Sequence, residues 1–200
     1  MQLTYKTITG TTQAEFKDRG SKFIACSFSV NNTEDIKRSL QLLKKEHPKA
    51  VHHCYAYRLG TDGLQYRAND DGEPSGSAGR PILGQIDSAG LTNVLVVVVR
   101  YFGGTLLGVP GLINAYKTVT TECLSTATTT EKNIEYVVTL DFDYSLMNEV
   151  MQVLKQNDVS VYKQDMQLFC IFEIGIPLIH KEQTLQRLND IHGLEIKGHK

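Results

Sequence analysis

The strongest restriction on the fold is a run of six aliphatic residues, Val94-Leu-Val-Val-Val-Val99, followed directly by Arg100-Tyr-Phe-Gly-Gly. A strand points alternate side chains to opposite faces, so a run apolar at every position predicts a central strand covered on both sides. The run is far shorter than the roughly 20 apolar residues of a spanning helix. No transmembrane segment is expected, and the opening MQLTYKTITG lacks the apolar stretch of a secretory signal, so the expected compartment is the cytoplasm.

Neighbouring segments supply the rest of a sheet. Ser21 to Val30 alternates Ile24, Cys26, Phe28 and Val30 with smaller or polar residues, the period of a half-buried strand, and Glu15 to Asp18 pairs with it through Arg19-Gly20. Asn32 or Thr33 caps a helix with Ile36, Leu40 and Leu43 on one face, stopped by Pro48. His52 to Leu59 and Leu64 to Arg67 read as strands joined by Gly60-Thr61-Asp62-Gly63, and Leu112 to Leu124 as a helix. These elements make the first half an α+β domain.

Two hundred residues allow one or two cores. The small polar stretch STATTTEK, Ser125 to Lys132, predicts a boundary there, with domains at 1–130 and 131–200. The second half reads as strand (Glu135 to Tyr144), helix (Ser145 to Asn157), strand (Val159 to Lys163), strand (Gln167 to Ile176), helix (His180 to His192) and strand (Leu194 to Lys197). That βαββαβ order at this length is ferredoxin-like, with Leu146, Val150, Val153 and Leu154 of one helix and Leu185 and Leu188 of the other packing on the sheet and Met147 and Met151 assigned to packing.

Charge narrows the class of partner. The net charge is −1, which argues against a generic duplex-DNA binder. Residues up to 130 carry 14 basic and 11 acidic side chains and the remainder 7 and 11, so a polyanion would meet the first half. The four cysteines, Cys26, Cys54, Cys123 and Cys170, form no C-x-x-C pair and are expected reduced and buried.

Two segments are dense in residues that carry chemistry. Asn69 to Gly84, NDDGEPSGSAGRPILG, reads as a functional loop, a poor helix or strand. Asp70, Asp71 and Glu73 offer oxygen ligands of the kind Mg²⁺ takes, set against the simpler reading of solvated turn carboxylates. Neither Ser75 nor Ser77 has the two flanking glycines of a G-x-S-x-G nucleophile. In RYFGGTLLGVPGLINAY, Arg100 to Tyr116, a strand runs through glycines into a helix whose free N–H groups suit an anion. Gly103 to Gly108 has P-loop spacing, but Val109-Pro110 stands where Lys-Ser/Thr belongs, and no G-x-G-x-x-G occurs. Gly103, Gly104, Gly108 and Gly111 therefore serve either anion binding or close backbone approach. His52-His53-Cys54 cannot close a zinc site from one strand, where His52 and Cys54 face opposite to His53, and His53 is a packed histidine or an acid-base group. Lys22, Arg19, Arg80, Arg100 and Lys117 are the nearby cations, with Tyr101 and Phe102 available for stacking.

SKFIA at Ser21 to Ala25, HHCYAYR at His52 to Arg58, NDDGEPSGSAGRPIL at Asn69 to Leu83 and VVVRYFGGTLLGVPGLINAY at Val97 to Tyr116 together resemble the IMPACT family, in its bacterial YigZ-like branch. The resemblance implies a first domain of the ribosomal protein S5 domain 2-like fold and a ferredoxin-like second domain, a pairing similar to adjacent C-terminal domains of elongation factor G. It also implies a link to translation, since eukaryotic members bind the activator of a kinase that phosphorylates a translation initiation factor.

The expected function is a non-enzymatic, translation-associated regulator. It would bind ribosome, RNA or a translation factor through the first domain, with Arg100, Lys22 and Arg80 on phosphate. The ligand- or nucleic-acid-binding set comprises Lys22, His53, Asp70, Asp71, Glu73, Ser75, Arg80, Arg100, Tyr101, Gly103, Gly104, Gly108 and Lys117. No cofactor or resident metal is expected, and no catalytic residue is assigned. The alternative is an enzyme using Asp70, Asp71 or Glu73 with His53 on a phosphorylated small molecule.

Overall fold

The computed structural model describes residues 2–167 and 169–198. The described chain divides into two compact units, one of residues 5–132 and one of residues 133–198 with the chain start up to Thr4. Among the described residues no helix is long and apolar enough to cross a membrane.

The elements up to the unit boundary are β1 (Thr4–Ile8), β2 (Thr11–Asp18), β3 (Ser21–Ser29), α1 (Thr33–Glu46), β4 (His52–Leu59), β5 (Gln65–Asn69), α2 (Gly79–Ser88), β6 (Val94–Tyr101), α3 (Gly108–Ser125) and β7 (Thr129–Asn133). Five strands form an antiparallel sheet in the order β2-β3-β6-β4-β5, and β1 pairs with β7 separately. The aliphatic run is the middle strand. Val94, Val96 and Val98 enter a core with Ile82 and Ile86 of α2 and Leu112, Tyr116 and Val119 of α3. Leu95, Val97 and Val99 enter the opposite core with Ile36 and Leu43 of α1. Each such burial stabilises the fold by about 2 kcal/mol, which is why the sheet is covered on both faces.

Local chemistry fixes the flanking elements. Arg19 and Gly20 have φ of 44° and 81°, the pair of left-handed residues that closes a two-residue hairpin between β2 and β3. The hairpin is longer than Glu15 to Asp18 suggests and starts at Thr11. The Asn32 side chain accepts from the Asp35 N–H at 2.9 Å, and the Asp35 carboxylate accepts from the Asn31 N–H at 3.0 Å, so α1 has a reciprocal cap.

Two sequence expectations need correction. Asn69 to Gly84 is not all loop: α2 starts at Gly79, with Pro81 in its first turn, where a missing N–H costs nothing. The helix expected at Leu112 begins at Gly108, again with a proline, Pro110, in its first turn. Ser125 to Lys132, read only as a polar boundary stretch, holds the end of α3 and most of a strand, β7, paired with β1, and the division between the two units falls at its end.

In the second unit β8 (Glu135–Asp143) leads through a 3-10 turn into α4 (Met147–Gln156), followed by β9 (Ser160–Met166), β10 (Phe169–Pro177), a second 3-10 turn, α5 (Lys181–Asn189) and β11 (Glu195–Gly198). The sheet order is β11-β8-β10-β9, with antiparallel pairs throughout. Val150, Val153, Leu154 and Leu188 are buried against it, and Leu146, Met147, Met151 and Leu185 pack on that core, as the helical spacing predicts. The strand expected from Gln167 includes Leu168, which lies outside the described residues, and β10 is described from Phe169.

Candidate functional site

The sheet register sorts the candidate residues. Within β6, β4 and β3, Arg100 pairs with both His52 and Phe23, while Val99 pairs with His53 and Tyr101 pairs with Lys22. Side chains alternate along a strand, so Arg100, His52, Cys54 and Ser21 lie on the α2/α3 side, and Lys22, His53 and Tyr101 lie on the α1 side. Thirteen residues proposed from sequence as one binding set thus divide between two faces and the loops at the strand ends.

On the α2/α3 side the centre is an ion pair. The Arg100 guanidinium donates to Glu73 Oε1 at 2.6 Å and to Ser21 Oγ at 3.3 Å, and it stacks over Phe23 and Phe102 at 5.3 and 5.6 Å from the ring centroids. Glu73 Oε1 also accepts the Tyr116 hydroxyl at 2.8 Å, and His52 Nε2 lies 3.9 Å away. Arg100 is only 5% exposed. Its charge is therefore used inside the protein, and the expected phosphate contact from Arg100 is replaced by a carboxylate of the same chain. Arg100 Nε finds no hydrogen-bond partner among the described residues.

The network continues into β4 and the 70–78 loop. The Cys54 thiol donates to the Asp70 carbonyl at 2.9 Å and to the Tyr116 hydroxyl at 3.3 Å. Burial pushes Cys54 up to about 12 and pushes the Tyr116 hydroxyl well above its ordinary value, so both stay protonated. His52 Nδ1 donates to the Asp71 carbonyl at 2.7 Å, which leaves Nε2 facing Glu73.

Of the three carboxylates read from sequence as possible metal ligands, Asp70 and Asp71 accept from backbone and Glu73 from the Arg100 and Tyr116 side chains. Asp70 Oδ1 accepts the N–H groups of Ala78 and Gly79 at 3.0 and 2.8 Å, and Oδ2 accepts that of Gly76 at 2.8 Å. Burial works against ionising Asp70, but the three N–H donors and the Arg80 charge outweigh it and hold its pKa below the ordinary carboxylate value. Asp70 therefore caps α2 from across the loop and fills the anion position of that helix. Asp71, at φ 41°, accepts the His53 N–H through Oδ2 at 2.6 Å. Ser75 and Arg80 are exposed, whereas Ser77 is buried and donates to the Pro74 carbonyl at 2.6 Å.

On the α1 side, His53 is buried, its Nε2 has no hydrogen-bond partner among the described residues, and burial lowers its pKa. The sheet separates the His53 ring from Glu73, and His52 is the histidine that reaches Glu73, while the Asp71 carboxylate is the loop charge that acts on His53. Tyr101 is hydrogen-bonded to His47 at 2.9 Å, and Lys22 pairs with Glu15 at 2.6 Å. Sequence reasoning missed His52, Tyr116 and Ser21 as members of the network. His52 lies opposite Arg100 in the sheet register, Ser21 sits two residues before Arg100's other partner, Phe23, and Tyr116 comes from α3, so only the tertiary structure brings them together.

Gly103 is required by a close backbone approach. Its N–H donates to Ser21 Oγ at 3.2 Å, and a Cβ there would overlap the carbonyl group of Gly20 and the nitrogen of Ser21. The loop after β6 is thus pressed against the β2–β3 turn, a close approach between two turns. Gly104 and Gly108 have φ of 85° and 71°, and Lys117 is exposed in the middle of α3.

The family model of the Impact N-terminal domain matches residues 19–124, the stretch from the hairpin turn to the end of α3 that holds this network. The chain belongs to the IMPACT family. It is 34% identical to the IMPACT family member YigZ of Escherichia coli over 85% of this chain and 84% of that one. It is 33% identical to the IMPACT family member YvyE of Bacillus subtilis over 76% of this chain and 70% of the relative. Among solved structures, the crystal structure of a hypothetical protein superposes with a TM-score of 0.80 at 29% identity, covering all of this chain and 99% of the other. The IMPACT match and the buried network cover the same stretch of chain.

Proposed function

We propose that this IMPACT family protein is a translation-associated regulator acting in the cytoplasm, and that its first unit binds a component of the translation machinery, whether ribosome, RNA or a translation factor. The observation carrying the reading is how the family's glycine-rich segment is used: a buried ion pair and a turn-to-turn contact hold the loop after β6 in a fixed shape, with Phe102 and Leu106 turned to solvent. A loop braced in this way is built to be presented to a partner. Membership of the family supports the S5 domain 2-like reading of the first unit. The βαββαβ order and the β11-β8-β10-β9 sheet support the ferredoxin-like reading of the second.

The test is co-sedimentation of the purified full chain with ribosomes and separated subunits over a salt series. The expected result is saturable, salt-sensitive binding, weakened by Arg80→Ala with Lys117→Ala and retained by Lys22→Ala, whose ammonium is paired with Glu15 on the other side of the sheet. Absence of co-sedimentation with ribosomes and with either subunit at low salt overturns the ribosomal form of the proposal.

A further inference from the structure

We propose that the outer face of the loop after β6 and the first turns of α3 docks an acidic protein segment carrying aliphatic anchors; this names the partner class for the binding reading above and rests on it. Leu106 is 82% exposed, and Phe102, Val109 and Ile113 are also exposed. Val109, Ile113 and Lys117 recur every four residues, so they share one stripe of α3. An exposed apolar patch with a polar rim marks a protein contact surface.

The rim is positive. Gln85 accepts from Thr121 at 2.9 Å, and Ala89 lines the same groove as Leu124 and Ser125, so α2 and α3 run in the same sense. One turn back from that bond lie Pro81, next to Arg80, and Lys117, which sets the first turn of α2 with Arg80 beside the middle of α3 with Lys117. Neither Pro74 to Ile86 nor Phe102 to Thr121 contains an Asp or Glu. The N-terminal end of α3, which no side chain caps, adds positive potential beside Val109, whereas that of α2 is met by Asp70, whose carboxylate also feels the Arg80 charge.

The balance of groups selects protein over nucleic acid. A strand of RNA asks for a track of cations along its phosphates and flat rings for its bases. This surface offers three aliphatic side chains and one aromatic against two cations. Its loop is already fixed by the Gly103 bond to Ser21 and by Arg100 against Phe102, so little ordering entropy is lost on docking.

Fluorescence anisotropy with the full chain tests this, using three labelled probes: a synthetic peptide with leucine and glutamate at helical spacing, its counterpart with lysine for glutamate, and a single-stranded RNA oligonucleotide. The leucine-glutamate peptide is expected to bind and the other two not. Leu106→Ser and Lys117→Glu, both at exposed positions, are each expected to weaken it about tenfold, and Lys22→Ala to leave it unchanged. No peptide binding, peptide binding indifferent to Leu106→Ser, or RNA binding that the same variants abolish overturns the proposal. Ribosome co-sedimentation indifferent to Leu106→Ser and Lys117→Glu would remove this surface while keeping the translation reading. Peptide binding without co-sedimentation would keep the surface and remove the ribosomal reading.

Discussion

Arg100 and Glu73 form an ion pair at 2.6 Å whose side chains are 6% and 3% exposed, joining the end of β6 to the loop that precedes α2. A buried pair adds little net stability over apolar packing, but losing one partner strands the other charge away from water. Arg100→Ala is therefore expected to destabilise the first unit by about 3–5 kcal/mol, with Arg100→Met plus Glu73→Leu costing less than the sum of the single changes. Urea unfolding of the parent, Arg100→Ala, the two single changes and the double variant measures both.

Gly103→Ala should be among the most damaging single-methyl changes in the chain, because the new Cβ meets the backbone of Gly20 and Ser21, and neither can rotate away. The expected loss is about 3 kcal/mol or more, since overpacking against backbone is relieved only by separating the two turns. Gly104→Ala is the control: nothing lies within 4 Å of its Cβ, and its φ of 85° alone costs about 1–2 kcal/mol. Thermal unfolding of the pair separates collision from backbone strain.

Asp70 makes stability depend on acid. Its folded pKa lies below the unfolded one, so the group binds fewer protons when folded, and its stabilisation is present above about pH 4 and is lost as pH falls through the folded value. Asp70→Ala should cost about 1–2 kcal/mol at neutral pH by freeing the first N–H groups of α2. Asp70→Asn should show a shallower decline in stability between neutral pH and pH 3 than the parent, measured by denaturant midpoints across that range.

All four cysteines are free and buried, and burial raises Cys26 and Cys54 each to about 12. The thiolate is the reactive form, so the native protein at pH 8 should react with a disulfide reagent far more slowly than a free thiol does. Unfolding should release four equivalents. Rapid native labelling of one residue, located by mass spectrometry, would contradict the burial described for it.

The sequence by itself determined the parts governed by short-range rules. The run from Val94 to Val99 gave a strand covered twice, Asn32 gave the start of α1, Arg19-Gly20 gave a hairpin, and the four motif blocks gave the family, because periodicity, capping and turn chemistry act over a few residues. Tertiary structure alone decided which of the marked residues meet. Arg100 finds Glu73 across 27 positions, His52 replaces His53 beside it, and Asp70 caps a helix that begins nine residues later. Those pairings depend on sheet register and on how α3 lies over the strands; a shift of one residue in register would have exchanged the two faces and put His53 beside Glu73.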